Sequence, residues 1–389
     1  MKNNSKKRMS LFERYPIITT IITVTISVLV LDVLLTIPYN YHKEIKIKRQ
    51  IERNKKIRIQ HPVYHHTFKN NTKSSEKHIL GEYTIFTNSL GFKDQSSRKI
   101  PMKSINQRIL FIGDSFTEGI WLNYDDSFVG IIDAKLRKKQ IEVLNAGRSS
   151  YSPIIYWRKI KYLIEDVGLK IDEVVVFIDI SDAQDEARNY DLSDNMNVIS
   201  RHKVDQSFKI LQSPKSLTLL LKNIISRKTT FLYYTLNLLY DSIGFGAAEG
   251  GAWSTLISSN YIRDKWTIDE SAYTTYGMNG VILMKKYINK LLFLLKDNNI
   301  DLTIAVYPHP SQIWYEDLAS IQVDVWKKWS QENNINFINY FPDFVSKGLS
   351  KTEKLQILRK YYVFGDSHFN KEGNLVLAHK FIETYLNWE

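Results

Sequence analysis

From residue 108 onward, short apolar runs alternate with longer amphipathic stretches. Runs rich in Ile, Val and Phe predict five strands, at 108–113, 141–145, 173–180, 302–307 and 335–339. The periodicity between them predicts helices at 126–138, 154–166, 281–296, 321–333 and 371–386, the last with Asn370 as its N-cap. This alternation predicts an α/β domain with a five-stranded parallel sheet, helices on both faces and ligands at the carboxyl ends of the strands.

The N-terminal part has a different pattern. Residues Ile17–Ile37 are apolar apart from threonines, Ser27 and Asp32, and as a helix they would be about 31 Å long, enough to cross a bilayer. No small-x-small cleavage site follows, which indicates an uncleaved anchor. We therefore expect four regions: a cytoplasmic tail (1–16), a transmembrane anchor (17–37), a basic stalk with a pre-strand segment (38–105) and the α/β domain with its insertion (106–389).

Two further stretches bear on the orientation and the extent of these regions. Within the stalk region, Tyr83–Thr87 predicts one extended piece, and Lys43–Arg58 carries more positive charge than the tail before the anchor. The positive-inside rule would then place the domain inside the cell, whereas a short tail before one span is typical of an exporting signal anchor. The second stretch, 183–280, breaks the strand–helix rhythm and predicts a helical insertion, either a lid or an enlarged crossover.

Composition excludes several classes. The chain has no cysteine, so disulfides, Cys-ligated zinc and thiol catalysis are absent. Residues 1–60 hold 13 Lys and Arg against 4 Asp and Glu, a net charge of +9, which leaves +3 of the total +12 for the rest. The basic character therefore belongs to the N-terminus, and we expect no nucleic-acid partner. No histidine or acid group has convincing metal-ligand spacing, so we expect neither a metal nor a cofactor.

Candidate chemistry lies at the predicted strand ends. Gly113-Asp114-Ser115 follows the first strand, and Asp366 and His368 precede the last helix. A serine, a histidine and an acid brought to one sheet edge form the set that nucleophilic acyl transfer uses. The loops after the second and third strands add further candidates for oxyanion and substrate binding: Gly147, Arg148, Ser181 and Asp182. Asp114 is expected to stabilise the turn, and His309 to pack in its loop.

These motifs resemble the SGNH/GDSL hydrolase superfamily. The matching residues are Gly-Asp-Ser-Phe-Thr-Glu-Gly (113–119), Asn-Ala-Gly (145–147) and Asp-x-His (366–368). Residues 87–94, Thr-Asn-Ser-Leu-Gly-Phe-Lys-Asp, are similar to a segment of membrane-anchored members associated with surface polysaccharides. The resemblance covers about 82–389 without the insertion, and implies a flavodoxin-like three-layer fold.

The resemblance also implies roles. Ser115 would be the nucleophile, His368 its general base and Asp366 the group that orients the imidazole. The N–H groups of Ser115 and Gly147 would bind the oxyanion with a side chain from the third block. That block has Ser181 where the family usually has asparagine, and its acid and histidine are two residues apart instead of three.

The resulting hypothesis is a serine esterase or O-acyltransferase acting on an ester, such as an acetyl ester, of a cell-envelope or surface glycan. Its domain would lie on the extracytoplasmic side, with partners in polysaccharide biosynthesis. Two alternatives stay open. One is a lipase or lysophospholipase with the insertion as a lid, and the other is a non-catalytic assembly component, suggested by Ser181.

Overall fold

The computed structural model describes residues 10–78, 80–201, 232, 251–257 and 263–387. The chain divides into two compact units. The first comprises Met1–Glu52 and Ser213–Phe245, and the second comprises Arg53–Gln212 and Gly246–Glu389.

The first unit is dominated by one long helix. After the short helix α1 (Leu11–Arg14), α2 (Pro16–Ile57) runs without a break through Pro38. Its segment Pro16–His42 is long and apolar enough to cross a membrane, a property that a signal sequence or a buried core helix can share. The expected anchor and the first part of the expected stalk are thus one helix, because Pro38 removes only one N–H donor and does not break it.

The polar residues of this apolar segment are paired. The threonine hydroxyls bond back to the helix backbone, as in Thr20 Oγ1 to the Pro16 carbonyl at 2.7 Å. Asp32 is buried within the first unit, and its Oδ1 accepts the backbone N–H of Leu232 at 2.8 Å. Thr19, Thr20, Thr23 and Asp32 therefore have hydrogen-bond partners within the protein in an otherwise apolar stretch.

A mixed sheet of eight strands forms the centre of the second unit, in the order β12-β11-β8-β6-β7-β5-β4-β3. The strands of this unit are β1 (Arg58–His61), β2 (His65–Phe68), β3 (Lys73–His78), β4 (Gly81–Thr87), β5 (Lys93–Asp94), β6 (Arg108–Ile112), β7 (Glu142–Asn145), β8 (Glu173–Ile178), β9 (Tyr190–Leu192), β10 (Val198–Ser200), β11 (Asp301–Val306) and β12 (Asn336–Asn339). All five predicted strands are confirmed, and they pair in parallel from β12 to β7.

The extent of the sheet corrects the prediction. β7 pairs antiparallel with β5, which continues through β4 to β3, so three further strands extend the five parallel ones. The predicted extended piece is β4, and its alternating buried side chains pack on a small cluster with Phe68 and Ile57. Residues 58–94 thus belong to the folded unit and are not part of a stalk, and a domain boundary at 106 is wrong.

Helices connect the strands and cover the sheet. In the described residues they are α3 (Ser115–Glu118), α4 (Phe128–Leu136), α5 (Pro153–Lys161), α6 (Asp182–Arg188), α7 (Ser254–Ile257), α8 (Glu270–Ala272), α9 (Met278–Asp297), α10 (Pro310–Trp314), α11 (Ile321–Asn333), α12 (Phe341–Phe344), α13 (Lys351–Tyr361) and α14 (Lys371–Leu386). α9 packs on α5 and α6, and α14 packs on α4. The predicted N-cap is confirmed, since the Asn370 side chain accepts the Gly373 N–H at 3.1 Å.

The predicted insertion is described only at its edges. At its start are α6 and the β9–β10 hairpin, and at its end are α7 and α8. The apolar runs 217–225 and 231–239 lie outside the described residues apart from Leu232, so the helical insertion stays a prediction.

Candidate active site

The candidate nucleophile lies at the end of a fully buried strand. β6 ends at Ile112, and a Cβ on Gly113 would overlap the Thr117 side chain, so the turn requires glycine there. The Asp114 side chain then accepts the Phe116 N–H at 2.9 Å as the N-cap of α3, whose first residue is Ser115. Buried strand, glycine and cap together fix the position of the serine at the sheet edge.

The structure brings the three predicted triad residues together. Ser115 Oγ lies 2.7 Å from His368 Nε2, and His368 Nδ1 lies 2.6 Å from Asp366 Oδ1. The same carboxylate oxygen accepts the backbone N–H of His368 at 3.0 Å. The two-residue spacing works because Gly365, at φ 72°, turns the chain so that acid and histidine face each other outside a helix.

The surroundings of Asp366 favour its ionised form. Burial opposes ionisation of Asp366, but its hydrogen bonds with His368 and the imidazole's charge lower the pKa of the carboxyl below its usual value. The imidazole ring packs between Phe116 and Trp121, with ring centroids 4.7 and 4.8 Å away. Packing on two sides limits rotation of the ring away from Ser115.

A cavity of about 210 Å³ opens in front of Ser115. Apart from Phe116 and Ile120, the residues that line it are polar: Asp114, Ser115, Ser149, Ser150, Asp179, Ser181, Arg263, Asp264, His309, Ser367 and His368. Pockets for drug-sized ligands are typically about 300–1,000 Å³ and mostly apolar. This one is smaller and hydrophilic.

The oxyanion site differs from the expectation. The Gly147 N–H is already donated to Asn145 Oδ1 at 3.0 Å, which leaves it no donor for an oxyanion. Ser150 is better placed, because it lines the cavity and its N–H makes no hydrogen bond to any described residue. Its φ of 64° is in the left-handed region, where glycine is more common, and no sequence pattern indicated it.

Arg148 takes part in the fold instead of lining the cavity. Its guanidinium lies 2.5 Å from Glu118 Oε2, and that oxygen also accepts the Ser149 N–H at 2.8 Å. Burial alone would raise the pKa of Glu118, but the charges of Arg148 and Arg58 lower it to about 2. The expected substrate-binding role is corrected, since this buried ion pair occupies Arg148 and fixes the loop that carries Ser149 and Ser150.

The segment 87–94 contacts the nucleophile turn through Lys93. Lys93 is fully buried, and its Nζ donates to the carbonyls of Gly119 and Leu122, both at 2.7 Å. Burial lowers the pKa of Lys93 to about 8. Lys93 therefore ties β5 to the chain just after α3.

Three buried carboxyl groups cluster next to Ser115. Oxygens of Asp114, Asp179 and Asp182 lie within 4.8 Å of one another, a grouping that could in principle hold a cation. Burial, with the charge of Asp179, raises the pKa of Asp114 to about 7, and burial raises that of Asp182 well above its usual value. Protons can therefore balance these charges. Tyr156 donates to Asp182 at 2.9 Å, and Asp182, unlike Asp114 and Asp179, does not line the cavity.

Ser181 does line the cavity, as expected from the third block. Its backbone N–H is donated to Asp179 Oδ1 at 2.7 Å, while its hydroxyl makes no hydrogen bond to a described residue. The side chain is thus the only donor that Ser181 can offer to a bound molecule.

His309 and Asp264 line the same cavity, although the sequence predicted only a packed loop for His309. Asp264 was not a candidate at all, because it lies within the predicted insertion and 45 residues from its partner. Its Oδ2 is 2.5 Å from His309 Nδ1 in a buried pair. A histidine directly after a parallel strand was the one signal that could have indicated this position.

Comparison with known proteins gives structural matches only, since no family model and no curated protein matches the chain. A lipolytic protein of the G-D-S-L family from Veillonella parvula is 15% identical, with a TM-score of 0.34, covering 72% of this chain and 98% of its own. The esterase EstA from Pseudoalteromonas sp. is 12% identical, with a TM-score of 0.35 and coverages of 73% and 98%. An acetyl xylan esterase is 14% identical, with a TM-score of 0.37 and coverages of 71% and 97%.

The resemblance to GDSL-type proteins expected from the motifs is thus found again among solved structures. The low scores mean that functional conclusions rest on the residues of this chain.

Proposed function

We propose that this protein is an SGNH-type serine enzyme that cleaves or transfers an acyl ester through an acyl-enzyme at Ser115. The observation that carries the proposal is the chain of contacts from Ser115 Oγ through His368 to Asp366, at 2.7 and 2.6 Å. Nucleophile, base and orienting acid are within hydrogen-bond reach of one another, as acyl transfer requires.

The geometry supports a two-stage mechanism. His368 Nε2 takes the proton of Ser115 Oγ as that oxygen attacks the ester carbonyl carbon, and Asp366 stabilises the imidazolium that forms. The N–H groups of Ser115 and Ser150 are the proposed oxyanion donors, supported by the Ser181 hydroxyl. His368 then protonates the leaving alcohol, which leaves the acyl group on Ser115.

The second stage is the same in a hydrolase and a transferase. His368 removes a proton from the incoming oxygen, which attacks the acyl carbon and releases Ser115. If the incoming oxygen belongs to water, the product is an acid, and if it belongs to a sugar hydroxyl, the product is a new ester.

The cavity supports a small acyl group, such as acetyl, on a hydrophilic alcohol. Its volume of about 210 Å³ and its polar lining match a short chain and hydroxyl groups better than a fatty acid. We therefore propose an ester of a cell-envelope or surface glycan as the substrate. A lipase would need an apolar channel, which the described residues around Ser115 do not form.

The direct test uses purified full-length protein in detergent. With para-nitrophenyl acetate, Ser115→Ala and His368→Ala should each lower kcat by about 10⁴- to 10⁶-fold, because the triad acts as a unit. A fluorophosphonate should label Ser115, as read by mass spectrometry. The exposed residues Ser96 and His379 give control variants, Ser96→Ala and His379→Ala, which should match the wild type. Unchanged turnover in both triad variants would refute the proposal.

Hydrolase and transferase activities are separated by adding a soluble oligosaccharide to the same reaction. A transferase forms acetylated oligosaccharide at the expense of free acetate, whereas a hydrolase yields acetate alone. Loss of both products in Ser115→Ala ties the result to the same acyl-enzyme.

We further propose that Pro16–His42 anchors the protein with the catalytic unit on the extracytoplasmic side. Support comes from the length and apolarity of this segment and from its exposed apolar side chains. The charge of Lys43–Arg58 counts toward the opposite orientation. If the catalytic unit is on the extracytoplasmic side, protease added to intact spheroplasts should digest it. Digestion only after permeabilisation would show that the unit is on the cytoplasmic side.

A further inference from the structure

A second imidazole–carboxylate pair lies in the wall of the Ser115 cavity. His309 follows β11, at the carboxyl edge of the sheet, and Asp264 comes from the turn before α8. Their side chains are 6% and 1% exposed, and both residues line the cavity together with Ser115 and His368. The triad does not use them, since His368 alone performs the proton transfers of both stages.

The pair is held firmly. Asp264 Oδ2 lies 2.5 Å from His309 Nδ1, in an ion-pair contact, and also accepts the Ser311 hydroxyl at 3.1 Å. The backbone N–H of His309 is donated to Gln312 Oε1 at 3.0 Å. Gln312 in turn donates to Asp317 at 3.0 Å, which fixes α10. A group anchored through several partners keeps its orientation without a ligand.

The free nitrogen of this imidazole is Nε2. His309 lines the cavity and its Nδ1 lies against Asp264, so Nε2 is the nitrogen through which the ring can contact a bound molecule. Burial opposes the charged form of His309, but the carboxylates of Asp264 and Asp179 raise its pKa above the usual value, against the charge of Arg263. Nε2 can therefore act as a donor, or as an acceptor when the ring is neutral.

Charge balance indicates the kind of ligand. Asp264 compensates His309, and Asp185 contacts Arg263 at 3.1 Å, so each cation facing the cavity already has a carboxylate. The remaining wall consists largely of serines. A neutral group that both donates and accepts hydrogen bonds fits this wall better than an anion, whose charge would meet Asp114 and Asp179.

We propose that His309, oriented by Asp264, binds a hydroxyl group on the alcohol portion of the ester, and that the enzyme thereby selects a polyhydroxylated alcohol such as a sugar. This inference rests on the proposed function and deepens it, because it assigns the recognition of the alcohol to a residue outside the triad. His309 is accordingly a substrate-binding residue, and Asp264 is its positioning residue.

The test compares two esters that share the acyl group. A mono-O-acetylated methyl glucoside carries hydroxyl groups on its alcohol portion, whereas para-nitrophenyl acetate carries none. In His309→Phe, which removes both hydrogen-bonding nitrogens and retains a ring, KM for the glucoside ester should rise about tenfold, the effect of one hydrogen bond to a charged group. The ratio of kcat/KM for the glucoside ester to kcat/KM for para-nitrophenyl acetate should therefore fall by about the same factor.

Further variants separate binding from folding. Asp264→Asn keeps the size of the side chain and should raise KM for the glucoside ester by a smaller factor than His309→Phe. The exposed His379, changed to Phe, is the matched control and should leave both esters unaffected. Free methyl glucoside should inhibit wild-type turnover of para-nitrophenyl acetate competitively, and this inhibition should weaken in His309→Phe.

Three results would overturn the inference while leaving the proposed function intact. They are an equal loss on both esters, no change on either, and a wild-type enzyme that turns over the glucoside ester no better than the hydroxyl-free ester butyl acetate. Failure of the proposed function looks different, because the wild type would then turn over no ester and a fluorophosphonate would not label Ser115.

Discussion

Two groups of charged residues flank the nucleophile turn, and they differ in what they leave open. On one side, His368 and Asp366 are 17% and 33% exposed, and His368 lines the cavity. On the other side, Glu118 and Arg148 are 1% and 8% exposed and pair with each other. Both groups are connected by short hydrogen bonds. Only the first group retains an atom that can reach a bound molecule. Access to the cavity therefore distinguishes the candidate catalytic group from the group that stabilises the fold.

The same difference applies to Arg148, which the sequence made a candidate for substrate binding and which the structure places in a buried ion pair. An arginine at a strand end can bind a substrate or hold a loop, and the sequence alone does not say which. Glu118 decides the matter, because a buried carboxylate beside a guanidinium leaves neither group for a ligand. The comparison predicts that variants on the first side lose activity and variants on the second lose stability.

The largest effect is expected for Asp366→Asn. Loss of the carboxylate should lower kcat on para-nitrophenyl acetate by about 10⁴-fold, because the imidazole then loses its preferred tautomer and its charge stabilisation. Denaturant unfolding should change little, since the side chain is one-third exposed. Asp297→Asn, at the exposed end of α9, is the control. Nearly full activity in Asp366→Asn would contradict the catalytic role proposed for the group that contains Asp366 and His368.

The next effect is on stability. Glu118→Gln should lower the free energy of unfolding by about 3–5 kcal/mol, because Arg148 is left buried without its counter-charge. Urea unfolding followed by tryptophan fluorescence measures the change. The exposed pair of Glu332 with Lys328, at 3.9 Å, gives the control Glu332→Gln, which should be neutral. Equal stability of the two variants would contradict a scaffold role for Glu118.

A smaller loss of stability is expected for Lys93→Met. The methionine preserves most of the side-chain volume but leaves the carbonyls of Gly119 and Leu122 without their donor, at a cost of about 1.5–3 kcal/mol. Activity per folded molecule should also fall, because the turn after α3 is no longer held. Lys77→Met, on a side chain that is 79% exposed, is the matched control. No difference between the two variants would rule out this role for Lys93.

The last effect is one on pH dependence, and it concerns the carboxyl group of Asp114. A pKa of Asp114 raised from 3.8 to about 7 means that the folded protein holds a proton that the unfolded chain releases. Stability from this group is therefore complete below about pH 4 and is lost as pH rises to about 7, with a slope of at most about 1.4 kcal/mol per pH unit. Asp114→Asn, which preserves the cap, should make the curve flatter in this range.

Asp185 and Glu186, with pKa values raised by burial to about 6 and about 8, remain in both proteins. Their contributions cancel when the stability curve of Asp114→Asn is subtracted from that of the wild type. Identical slopes between pH 4 and pH 7 would show that Asp114 does not take up the proton.

The sequence by itself determined the elements that depend on local pattern. Apolar runs located the parallel strands, Asn370 was recognised as a cap, and three short motifs identified Ser115, Asp366 and His368. These features are readable because side-chain periodicity, turn residues and caps act within a few residues.

The tertiary structure decided which distant groups meet. β3–β5 joined the sheet, Glu118 paired with Arg148, and the N–H of Gly147 bonded to Asn145. Asp264, near the end of the predicted insertion, contacted His309. A contact between residues 30 or 45 positions apart produces no pattern in the sequence. It depends on how the sheet and its loops pack in three dimensions.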